Sequence, residues 1–217
     1  MFETDSEKSV SEYVEEIERN FDLELRAEAE ISILTIMRSQ KFLLIFFMSI
    51  FQLLLPLYFD VVFKEIAQYY IKDDETLTLI GSIAFTANSV TKLVIGIILE
   101  YVSCKKVNCV ILAVMFVAIL TLKYSVKNWI TYMITSIVIM GTEGAYVTLQ
   151  AVITMQQFGL KRGPEVYAYQ LSAQAVASLS LSIFVMTVKS EGGFQLMFQI
   201  CFIGLILASI CCYKIQD

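Results

Sequence analysis

The sequence predicts an all-α integral membrane protein, a bundle of six transmembrane helices behind an acidic leader. Three observations predict it. Of the 217 residues, 57% are hydrophobic and the mean hydropathy is +0.69, too apolar for a water-soluble domain. The apolar residues gather into six runs, most near the length at which a helix crosses roughly 30 Å of hydrocarbon. The acidity is segregated: residues 1–41 hold eleven acids against five bases, and residues 42–217 hold ten against eleven. The net charge of -5 therefore belongs to the leader, and no basic surface for nucleic acid is present.

Composition also bounds the chemistry. There is no histidine, which removes His-based acid–base catalysis, His-ligated metals and Ser-His or Cys-His nucleophile pairs. Cys104, Cys109, Cys201, Cys211 and Cys212 are odd in number and lack metal-ligand spacing, so they read as small fillers inside the membrane. No cofactor is implied, and the chain is expected not to be an enzyme.

In residues 1–41 no cleavable signal peptide is visible. Val10, Tyr13, Val14, Ile17, Phe21 and Leu25 recur at helical spacing, so the leader is either a cytoplasmic amphipathic helix with an acidic outer face or a disordered acidic segment. Residues 42–217 form the membrane domain. The first span, about 42–63, is entered past Arg38 and Lys41 and carries Pro56 and Asp60 toward its exit, with a kink expected at the proline. A polar connection with Lys72, Asp73, Asp74 and Glu75 must lie outside the bilayer.

The second span, about 77–102, is the one the others are arranged around. Gly81, Ala84, Asn88, Thr91, Lys92 and Ile95 share one of its faces. A lysine at the centre of a span costs about 2.5–3.5 kcal/mol on insertion scales, so Lys92 should face protein or water beside an anionic partner. That partner is either a structural acid or a transported anion. The third span, about 107–122, is short. The fourth, about 129–154, carries Glu143 near its middle between Gly141 and Gly144, whose side favours a closely packed neighbour. Glu143 reads as the partner of Lys92, as a proton carrier, or as a neutral hydrogen-bonded carboxyl.

A connection containing Gly159, Gly163 and Pro164 leads to the fifth span, about 167–188. There Gln170 and Gln174 lie one turn apart, placed to bond a solute or a neighbouring helix. The sixth span, about 194–212, is nearly featureless. Basic residues favour one set of loops by seven to five, which puts the termini in the cytoplasm.

The end of the second span, with Gly96, Glu100, Ser103, Lys105 and Lys106, resembles the G-x-x-x-D-x-x-G signature and its trailing bases in the major facilitator superfamily. Glu100 replaces the usual Asp and Ser103 the usual Gly. Asn88 and Lys92 resemble the Asn and Arg, four residues apart, of the oxalate/formate antiporter or monocarboxylate-transporter-like branch. Phe158, Gly159, Lys161, Gly163 and Tyr167 are similar to that branch's loop between its tenth and eleventh helices.

The resemblance runs from Arg38 to Lys214 and covers the C-terminal six-helix half of that fold. It implies a secondary-active transporter working by alternating access, with a cavity between two halves, Lys92, Asn88, Glu143, Gln170 and Gln174 binding substrate, and Gly96, Glu100, Lys105 and Lys106 gating it. The fifth span holds no Lys or Arg for a second carboxylate. That turns the expectation to a monocarboxylate or other small organic anion, moved by exchange or with a proton. The partners implied are that anion, the lipid bilayer, and the missing N-terminal six-helix half or a second copy. The competing expectation is a half-size, non-transporting protein that assembles with or regulates a full carrier. With six spans, Asp73 and Lys105 lie on opposite sides of the membrane. Cysteines placed singly at these positions in a cysteine-free background should react with an impermeant reagent from opposite faces of sealed vesicles; labelling from one face rejects the topology.

Overall fold

A computed structural model of the protein describes Arg19, residues 32–187 and residues 191–215, and they contain helices and short connections with no strand. The expected leader helix built on Val10 to Leu25 lies outside the described residues except for Arg19. In chain order the helices are α1 (Ile33–Met37), α2 (Gln40–Gln68), α3 (Asp74–Tyr101), α4 (Cys104–Ser125), α5 (Trp129–Thr187) and α6 (Glu191–Lys214). Five of them, α2 to α6, are long and apolar enough to cross a bilayer, which marks a multi-pass integral membrane protein.

Local chemistry sets the helix starts. Ser39 Oγ accepts the Phe42 N–H at 3.2 Å and opens α2, where Pro56 is buried within the helix. Asp73 caps α3 by accepting the Glu75 N–H at 3.2 Å, while Asp74 and Glu75 occupy a first turn whose free N–H groups favour negative charge. The Thr76 hydroxyl, with help from the backbone of Glu75 and Thr76, holds the Asp73 carboxylate below its ordinary pKa. Lys64 near the end of α2 bonds Asp74 at 3.1 Å and Thr78 at 2.9 Å, closing this connection.

The structure differs from expectation at the fourth connection. Residues 157–167, read from their glycines and proline as a linker, are helical apart from one break at Gly159, with φ 79° and ψ 170°. The whole of α5 has 59 residues and would extend about 88 Å if straight. It is not straight. A Cβ built on Gly163 would sit 3.0 Å from the Met155 Cα, although eight residues of straight helix would separate them by about 12 Å. The chain therefore doubles back at Gly159 into a first arm, residues 129–158, and a second arm, residues 160–187.

The bundle centres on α2 and α5. The latter packs against α2, α3 and α4, and α6 leans on α2 and α4. One core cluster includes Ile45, Met48, Leu53, Met115, Tyr146 and Leu205, and a second includes Phe59, Leu77, Ile80, Leu122, Tyr132 and Ile139. The two buried tyrosines find acceptors: Tyr146 Oη donates to Ser49 Oγ at 2.9 Å, and Tyr132 Oη to the Phe63 carbonyl. Beside the bend, Ile36 of α1 packs with Phe42 and Val166. All five cysteines are free; Cys104, Cys201 and Cys212 are buried as expected, whereas Cys109 is exposed.

The backbone region of Gly159 is one that only glycine occupies without strain. Gly159→Ala should cost about 1–3 kcal/mol, read as a lowered Tm of the purified protein in detergent. An unchanged Tm would mean the bend does not depend on this residue.

Candidate functional site

Three helices meet at a polar junction within the bundle. The buried stripe of α3 runs Leu77, Ile80, Gly81, Ala84 and Asn88, and ends opposite the glycines of α5. There the two helices touch backbone to side. A Cβ on Gly144 would lie 2.2 Å from the Asn88 carbonyl oxygen, and one on Gly141 would lie 3.3 Å from Thr91 Oγ1. Only a residue without a side chain permits this approach at position 144.

The approach brings two amide and carboxyl groups together. Asn88 Nδ2 donates to Glu143 Oε2 at 2.9 Å, and both residues are only 8% exposed. Glu143 lies midway along the first arm of α5, where a bare carboxyl costs several kcal/mol in an apolar medium. The amide donor offsets part of that cost. Asp60 of α2 is close enough for its charge to be felt at Glu143, and its Oδ1 is buried without a hydrogen-bond partner among the described residues. Sequence reasoning noted Asp60 only as an acid near the exit of its span. The signal that would have found it is an acid inside an apolar run one turn after a buried proline.

Lys92 stands differently from the expectation of a paired lysine. Its charge reaches Glu143, yet it forms no ion pair among the described residues, and its side chain lies on the outer surface of the bundle. One step around the helix separates it from the buried stripe. Its backbone, rather than its amino group, meets α5: Thr148 Oγ1 donates to the Lys92 carbonyl at 3.4 Å. Above it on the outer surface of α3 are Thr78, Ser82, Thr86 and Ser89. Each hydroxyl bonds the carbonyl four residues earlier, at 2.8, 2.9, 2.8 and 3.3 Å, so their polarity is satisfied locally.

The remaining expected residues divide. Gln170 is fully buried, donates to the Phe42 carbonyl at 3.3 Å and leaves Oε1 unpartnered, while Gln174 is half-buried. Phe42 and Asp60 are separated along α2 by about 27 Å of rise, so the glutamine belongs to the bend and not to the carboxyl junction. Of the gating residues, Glu100 and Lys106 are exposed, and neither they nor Lys105 form an ion pair among the described residues. A Cβ at Gly96 would meet nothing within 4 Å, so no close packing explains that glycine. No cluster of His, Cys, Asp and Glu suited to a metal ion occurs among the described residues.

Neither protein-family models nor curated proteins match the chain. The chemistry of the junction is that of a buried hydrogen-bonded acid, a second acid with one oxygen unbonded among the described residues, and a lysine on an open face nearby.

Gly144→Ala should push α3 from α5 and loosen the Asn88–Glu143 bond. The expected cost is about 1–3 kcal/mol of stability, measured as a fall in Tm in detergent. Retention of the wild-type Tm would show that the close approach is not under this constraint.

Proposed function

We propose that this chain is the C-terminal-type half of a secondary-active carrier for a small, monocarboxylate-like organic anion. In this reading the two arms of α5 make separate crossings, six in all, with both termini cytoplasmic and an arrangement like one half of the major facilitator fold. The observation that carries it is Lys92. A lysine that forms no ion pair among the described residues, some nine residues or about 14 Å of rise from the end of α3, is poorly placed to reach the interface by extending its side chain. The face it occupies is therefore expected to meet water or a second polypeptide rather than acyl chains. In a carrier made of two halves, that face borders the path, with the bases of sites near the midplane between repeats.

Roles follow from position. Lys92 attracts the carboxylate of the solute. Glu143, held by Asn88, and Asp60 supply carboxyls on which a coupling proton resides. Gln174 borders the same path nearer the bend, buried Gln170 fixes the second arm against α2 there, and Glu100, Lys105 and Lys106 bias which side is open. The missing half, or a second copy, completes the enclosure. A non-transporting assembly partner is the alternative, and the same experiment distinguishes it.

The test compares wild type, Lys92→Gln, Glu143→Gln and the double variant, as full chains reconstituted in vesicles with radiolabelled formate, lactate, pyruvate and oxalate. If Lys92 binds solute, Lys92→Gln abolishes uptake with Tm nearly unchanged. If it only neutralises Glu143, Lys92→Gln lowers Tm and the double variant restores it. Full uptake by Lys92→Gln refutes the binding role. Absence of uptake by the wild type, alone and with a co-purifying partner, favours the non-transporting reading.

A further inference from the structure

At the end of the bundle that holds the α5 bend, two adjoining cavities open between helix ends. The larger, about 280 Å³, is lined by Met48 of α2, Ser103, Lys105 and Asn108 at the start of α4, Gln156 of α5 and Cys212 of α6 among others. The smaller, about 230 Å³, is lined by Gln40 and Lys41 at the start of α2 and Lys214 at the end of α6; Gln157 and Ile215 belong to both. Three lysines from three helices thus line two cavities that share Gln157 and Ile215 in their walls. No carboxylate lines either cavity, and none of Lys41, Lys105 and Lys214 has an ion-pair partner among the described residues.

Two further features give this space positive character. The start of α4 is uncapped: Ser103 makes no side-chain capping bond, and the first turn contains no acid but Lys105 and Lys106. Its first turn adds the positive end of a helix dipole to the lysines. Within the wall, Asn108 is only 1% exposed; its Nδ2 donates to the Met48 thioether at 3.3 Å, and its side chain also hydrogen-bonds the Cys212 sulfur. Sulfur is a weak acceptor, so an anionic oxygen competes with it for this buried amide donor. Like charges gathered around a partly enclosed, polar-lined space are stabilised by an anion of matching valence.

We propose that these cavities form a binding site for a phosphate-type oxyanion carrying two or more negative charges, with Lys41, Lys105 and Lys214 as its cations and Asn108 with the α4 N-terminus as its neutral donors. Lysines arranged as separate point charges suit a tetrahedral group with oxygens on every side. The position at helix ends beside the bilayer surface admits either of two sources for that group, a phosphorylated lipid headgroup or a soluble phosphate compound. The site lies away from the Glu143 junction and does not depend on the carrier reading. It also gives Lys105 a role other than contact with Glu100.

The test uses the full chain. Pyrophosphate is titrated into purified protein in a neutral detergent. Separately, protein is placed in nanodiscs of phosphatidylcholine with or without phosphatidylinositol 4,5-bisphosphate, and Tm is measured at low and high salt. The expected result is a salt-sensitive rise in Tm with one or both anions, and an affinity reduced roughly tenfold or more by each of Lys41→Gln, Lys105→Gln and Lys214→Gln. Lys→Arg at the same positions retains binding, and Lys64→Gln at the other end leaves it unchanged. A response to the lipid alone assigns the headgroup, and one to pyrophosphate alone assigns a soluble ligand. No response to either anion, or equal binding by the triple Lys→Gln variant, overturns the site. Lys41 and Lys214 are exposed, so their single variants remain informative if the triple variant does not fold.

Discussion

The contact between Gly144 and the backbone of Asn88 is the constraint on which the interior depends. Two helices brought this close have room for a hydrogen bond between an amide on one and a carboxyl on the other, and for little else. A larger residue at 144 would separate them and leave the carboxyl of Glu143 without its donor. Association of helices in lipid gains little from the hydrophobic effect, since both states are apolar, so close packing and polar pairs must supply the specificity. The Tyr146–Ser49 and Tyr132–Phe63 bonds serve the same purpose where the first arm of α5 meets α2. Together they fix α5 against two neighbours at three heights.

A second polar network shows how far such pairing is carried. Gln52 and Asn108 are almost fully buried and joined by a 3.0 Å bond from Gln52 Nε2 to Asn108 Oδ1, but Gln52 Oε1 has no partner among the described residues. Asn108 therefore links the interior of α2 to the lysine-lined end of the bundle. An incompletely satisfied amide pair at that place is more consistent with a site that takes up something than with pure scaffolding.

Much of this architecture was legible in one dimension. Hydropathy is summed along the chain, so a multi-pass helical membrane protein is legible there, and the value of Gly141 and Gly144 as a packing surface follows from their spacing. What a helical wheel does not supply is the direction in which the wheel is turned. Asn88 and Lys92 share a broad face on paper, yet the stripe that α5 covers ends at Asn88 and leaves Lys92 outside. Gln170 was grouped with Glu143 by character, whereas the fold places it beside Phe42. Asp60 drew no role because its relevance comes from a neighbour far along the chain. The glycine–proline segment reads as a loop because breakers mark a change of direction without stating how many residues make the turn; here one suffices.

That one-residue bend has a consequence for how the protein is made. The second arm of α5 begins with Lys161, Arg162 and Glu165 and continues through two glutamines and several serines. Taken alone, such a segment partitions into lipid less readily than its neighbours. With no loop between the arms, its start is covalently held against the end of the first arm, near Met155, as it leaves the ribosome. The two arms thereby leave the ribosome as one helical hairpin, whose turn is set by dihedral angles that only glycine adopts without strain.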